Sequence, residues 1–149
     1  MGLAEKWCLL AAGSYLLIGM LTGAWKYHGI RTSPEHKAHT YVSLAHQASL
    51  AYAFASVVLG QLARYSPYSE STTMWAACVP LAYFGLAIVS YVIHGVLKDT
   101  HNQFAEPHRL GKGTVSPVST RLFMWSLGLG EIGGASVLLW GFVQSQLLA

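Results

Sequence analysis

Charged residues come in clumps along this chain, and the stretches between them are apolar. Trp7 to Trp25, Ala38 to Ala63 and Ser71 to Leu97 contain no Asp, Glu, Lys or Arg, and Leu122 to Ala149 is broken only by Glu131. About 20 apolar residues at 1.5 Å rise cross a hydrocarbon core of ~30 Å. The pattern therefore predicts four transmembrane helices, at about 7–25, 38–63, 71–97 and 122–145. Period-2 alternation is absent, which argues against a membrane barrel. The expected fold is all-α, an integral membrane four-helix bundle forming a single membrane domain over 1–149. Pro107, Gly111, Gly113 and Pro117 argue against a helix in the one sizeable loop, Lys98 to Thr120.

Composition agrees with the pattern. The chain is 53% hydrophobic and 10% charged, with a mean hydropathy of +0.40. A soluble domain carries roughly 25% charged residues. Nine Lys+Arg against six Asp+Glu give +3, and no basic run exists to hold nucleic acid, so the expected surroundings are the lipid bilayer. Trp7, Trp25, Tyr65, Tyr68, Trp75, Trp125 and Trp140 suit headgroup level. Lys26, Arg31, Lys37, Lys98, Arg109, Lys112 and Arg121 belong to the first and third loops, against Lys6 and Arg64 on the other side. The positive-inside rule then puts both termini outside. The first span is longer than a signal-peptide core and no A-x-A cleavage pattern follows it, so it is read as a retained helix.

Small residues recur at helical spacing: Gly19 and Gly23 on the first span, Gly130 and Gly134 on the fourth. Lipid offers helices no hydrophobic reason to associate, so close backbone approach must do it, within the bundle or between copies. Cys8 and Cys78 read as small apolar fillers rather than a disulfide.

Ionisable groups inside a span cost about 2.5–3.5 kcal/mol on insertion scales and need a reason. Counting 1.5 Å per residue from the flanking charges puts His46 and Glu131 roughly 14 Å deep, Tyr91 about 10 Å and His94 about 6 Å, all from one side. His39, Ser43 and His46 share one helical face, and Phe84, Ala87, Tyr91 and His94 share another. The expectation is a pocket between helices, opening toward the first and third loops. A neutral imidazole at position 46 is either a metal or haem-iron ligand or an interhelical hydrogen-bond partner. Glu131 is either a general base or a carboxyl bonded to a carbonyl or to Ser126 or Ser136. His28, His36, His101 and His108 lack metal-ligand spacing and read as surface histidines.

These residues resemble a family. Leu16 to Gly23, Ala45-His46 followed by Leu59-Gly60, and Leu139-Trp140-Gly141 are similar, in order and spacing, to motifs of the small four-span group containing styrene oxide isomerases and hydroxylaminobenzene mutases. The resemblance covers roughly residues 10 to 142. It implies a homotrimer holding haem b, its ferric iron ligated by His46, with Tyr91 helping to hold substrate. It implies a haem-dependent isomerase that opens an apolar epoxide by Lewis-acid catalysis to a carbonyl product, or that cyclises or hydrolyses it. The alternatives are an aryl hydroxylamine mutase and a non-catalytic haem- or lipid-binding membrane subunit. Where the family has asparagines this chain has Tyr52 and Ala87, which puts styrene oxide itself in doubt as the substrate. Tyr91 and Tyr52, through their places in the resemblance, and Glu131 and His94, which have no family role and stand on the residues alone, are the candidate catalytic residues. His46, His39 and Ser43 are the candidate cofactor contacts.

Overall fold

The computed structural model describes residues 1–148. Four helices follow one another: α1 (Leu3–Thr32), α2 (Thr40–Arg64), α3 (Glu70–Leu97) and α4 (Pro117–Gln146). A two-residue hairpin, β1 (Arg109–Leu110) and β2 (Gly113–Thr114), stands between the last two helices. All four helices are long and apolar enough to cross a membrane. The all-α four-helix architecture read from the sequence is therefore present.

α1 and α4 overrun the predicted spans, because a helix does not end where hydrocarbon does. Lys6, Lys26 and Arg31 lie inside α1, where long side chains can reach the interface while the backbone stays helical. The loop reading needs one correction: α4 starts at Pro117, not after Thr120. Proline at the first helical position gives up only an N–H that would lack an intrahelical acceptor anyway. The rest of that loop is non-helical as expected, and Gly111, at φ +60, makes the hairpin turn.

The caps are local chemistry. The Ser69 hydroxyl accepts from Thr72 N at 3.2 Å to start α3, and His39 Nδ1 accepts from Tyr41 N at 3.3 Å to start α2. Lys98 closes α3 in the left-handed region, its N–H donating to His94 O.

Packing is up-down-up-down. Thr40 Oγ1 meets His101 Nδ1 at 3.2 Å, joining the start of α2 to the third loop at one end. At the other end the Tyr68 hydroxyl donates to Gln144 Oε1 at 2.9 Å. The core consists mostly of small residues, Ala4, Cys8, Ala63, Ala76 and Ala77 around Leu59, Leu81, Phe84 and Leu138. Both cysteines are free thiols.

Both glycine pairs are used within the bundle. A Cβ on Gly19 would come 2.6 Å from Leu50 Cδ2, and one on Gly23 would come 2.9 Å from His46 Cε1, so α2 lies against the glycine face of α1. Gly130 accepts Tyr83 and Val79 of α3, while Gly134 sits over Ala76 O and the Pro80 ring. Pro80 has no N–H to bond the Ala76 carbonyl one turn back. The backbone of α4 covers the place where that bond is missing. Much of the remaining surface is apolar: Leu122, Trp125, Leu129, Ile132 and Trp140 on α4 are all more than half exposed. Such a surface suits lipid or a partner helix.

Candidate functional site

Helical phase correctly turns the two polar stripes inward at several points. On α3, Phe84, Ala87 and His94 are buried and Tyr91 is half-buried. On α2, His46 is half-buried against α1. The common depth of these groups does not become one cavity, however. They fall into three separate neighbourhoods.

The first is His46. Its Nδ1 lies 2.8 Å from Gly19 O. A carbonyl can only accept, so Nδ1 carries the proton and Nε2 is left with a free lone pair. Nε2 has no hydrogen-bond partner among the described residues. It is also not among the buried unpaired side-chain atoms, which are His39 Nε2 and Glu131 Oε1, so it remains accessible. A ring fixed through Nδ1–H to a backbone carbonyl, with Nε2 free, is how proteins orient an imidazole for a metal. The ring lies over Gly23, where a side chain would collide with it. The same-face partners point to other tasks. His39 caps α2 and lies beside His101, ring centroids 4.7 Å apart. Burial, then the neighbouring His101 and Lys98, hold His39 below the usual histidine range. Ser43 lines an outer groove between α1 and α2 with Lys26, Leu44 and Gln47.

The second neighbourhood joins α2, α3 and α4. Glu131 lies within electrostatic range of both Tyr52 and Tyr91. Its Oε1 is buried without a partner, while Ser126, one of the two serines considered for it, donates instead to Phe123 O at 2.8 Å. Tyr52 lies flat on Phe84, with centroids 4.3 Å apart and planes 9° from parallel. Among the described residues the hydroxyls of Tyr52 and Tyr91 have no hydrogen-bond partner. An unpaired buried carboxyl oxygen costs about 1–3 kcal/mol. Here it lies within Coulombic range of two phenols, neither of them hydrogen-bonded to it.

The third lies at the loop end. His94 Nδ1 is 2.8 Å from Asp99 Oδ1, with both side chains under a tenth exposed. Asp99 Oδ2 accepts from Gly111 N at 2.6 Å. Tyr41 packs beside the imidazole at 4.9 Å and touches Tyr91 at 6.0 Å, and its hydroxyl accepts from the Gln103 N–H. Burial alone would raise the Asp99 carboxyl. The bonds from His94 and Gly111 outweigh it and hold the group below its ordinary value. A lowered carboxylate stabilises the fold above its unfolded pKa, and that contribution is lost as pH falls through the folded value. The Gly111 amide is therefore expected to stay protected from hydrogen exchange until pH falls below the ordinary 3.8 of an aspartate. Amide exchange measured across that range checks it; protection lost already at pH 5 would contradict the assignment.

Asp99, Gly111 and Tyr41 were not legible as site residues. Asp99 lies five residues past His94, beyond a helix end, and only the left-handed Lys98 turns it back. The roles of Gly19 and Gly23 beside His46 were hidden behind their packing role. Besides the outer groove beside Ser43, two clefts open at this end among the described residues. One, of about 400 Å³, is lined by His94, and the other, of about 590 Å³, by His39 and His101; neither includes His46 or Tyr91. Comparisons with protein-family models, with curated proteins and with solved structures found no match for this chain.

Proposed function

We propose that this chain is a haem-dependent membrane isomerase that opens an apolar epoxide to a carbonyl product. The observation carrying the reading is His46: Nδ1–H is held by a main-chain carbonyl 2.8 Å away, and Nε2 is free to bind a metal. The residues fit a porphyrin iron. A single neutral imidazole is an ordinary haem ligand, and no cluster of three or more His, Cys, Asp or Glu suggests a bare metal ion among the described residues. The accessible position of Nε2, at the α1–α2 seam rather than in a closed core, suits haem b held between protomers of a homotrimer. The broad apolar faces of α1 and α4 leave room for such an interface.

When bound, ferric haem supplies a Lewis acid for the epoxide oxygen. The chain's own residues do the rest. His46 would hold the iron through Nε2 and, through its Nδ1–H bond to Gly19 O, would tune its electronics. In one chain Tyr91 belongs to a different neighbourhood from His46, so its unpaired hydroxyl would reach the oxygen across a protomer interface of the proposed trimer and donate to it as negative charge develops. Tyr52 supplies an aromatic wall stacked on Phe84 and a second phenol. Glu131 Oε1 can accept a hydrogen bond or hold a proton in the same neighbourhood. Apolar helices admit the substrate from lipid and exclude the water that would turn an opened epoxide into a diol.

A panel of apolar epoxides, with products identified, tests the activity. Carbonyl products support isomerisation, rings support cyclisation, diols support hydrolysis, and no turnover by haem-loaded protein defeats the proposal. Tyr91→Phe is expected to keep the haem spectrum and lose about 10²-fold in turnover. Full turnover in this variant would remove Tyr91 from the mechanism.

A further inference from the structure

The His94–Asp99 pair takes no part in this reading, and its geometry is that of an oriented base. A carboxylate only accepts, so the 2.8 Å contact fixes the proton on His94 Nδ1. Asp99 is itself held at its other oxygen by Gly111, and Tyr41 packs beside the ring. Nε2 has no hydrogen-bond partner among the described residues and is not one of the buried unpaired atoms. The residue lines a cleft of about 400 Å³ between α3, the hairpin and the start of α4. The walls of this cleft are largely apolar, among them Val89, Ile93, Phe104 and Phe123.

We infer that this cleft binds a neutral apolar molecule bearing one hydroxyl group, whose O–H donates to Nε2 of His94. The charges around it select this class. The Asp99 carboxylate behind the ring strengthens Nε2 as an acceptor and opposes a second carboxylate. Arg109, which also lines the cleft, opposes an ammonium group. A neutral donor is the polar group that both sides tolerate, and the apolar walls take its hydrocarbon. The inference does not rest on haem or on His46.

The test uses full-length protein labelled with ¹⁵N-histidine in nanodiscs, titrated with 1-dodecanol. The His94 Nε2 resonance should shift saturably, and dodecane should leave it unmoved. His94→Gln should weaken binding about tenfold, the size of one good hydrogen bond. Val89→Trp alters an exposed position of the wall. It leaves His94 in place and should block the cleft by volume, which keeps the test decisive if His94→Gln misfolds. Dodecanoate or dodecylammonium displacing the alcohol at equal concentration would overturn the inference. So would an unmoved Nε2 resonance, an equal response to dodecane, or full binding by Val89→Trp.

Discussion

Detergent-purified protein is expected to show a Soret band, and His46→Ala to lose it. The argument is geometric. The imidazole is pinned between Gly19 O, 2.8 Å from Nδ1, and the bare Cα of Gly23, leaving Nε2 as the free nitrogen. Removing the ring removes the one side chain the proposal names to hold the iron. A subtler variant separates the ligand from its support. In Gly23→Ala the new Cβ would lie 2.9 Å from His46 Cε1 and 3.0 Å from Nδ1, so the ring must move and strain its bond to Gly19. Disturbing such a supporting bond typically costs about 10–100-fold in metal affinity. Gly23→Ala should therefore hold haem weakly, while Gly13→Ala, where nothing lies within 4 Å, should hold it normally. A colourless wild type with epoxide turnover would defeat the haem assignment. A Soret band unchanged in His46→Ala would move the ligand elsewhere.

The largest stability effect is expected at Gly134. A methyl group there would sit 2.5 Å from Ala76 O and 2.6 Å from Pro80 Cγ. Neither a helix carbonyl nor a proline ring can swing aside, so α4 must lift away from α3. Overpacking of this kind costs about 1–3 kcal/mol. Gly130→Ala should cost less, because the atoms in its way belong to the Tyr83 and Val79 side chains. Gly128→Ala meets nothing within 4 Å and should be neutral or stabilising by up to about 1 kcal/mol from helix propensity alone. Thermal unfolding in one detergent, followed by circular dichroism, ranks the three. Equal stability of Gly134→Ala and Gly128→Ala would show that the α3–α4 contact is not close-packed.

Absorption spectra and melting curves read different parts of the fold. His46 and Gly23 belong to the α1–α2 seam, Gly134 to the α3–α4 seam. Haem loss in Gly134→Ala would therefore mean that the two seams are coupled through α2 and α3.

What the sequence alone determined is what a one-dimensional pattern can carry. The gaps between charges located four helices, and the 3.6-residue period turned Phe84, Ala87, Tyr91 and His94 to one face. Glycine spacing marked two close helix contacts, and a histidine in an apolar span marked a group needing a partner. Partner choice was left to tertiary structure, because it depends on how helices rotate against one another and where loops return. The similar depths of His46, Tyr91 and Glu131 suggested one pocket. Depth says nothing about azimuth, and α2 rotates His46 toward Gly19 and Gly23. The His94–Asp99–Gly111 link arises because Lys98 adopts a left-handed turn and a hairpin folds back onto the helix end, a contact made across twelve residues with no periodic signature. Pro80 and Gly134 meet for a similar reason: a carbonyl freed in one helix is covered by a glycine of another.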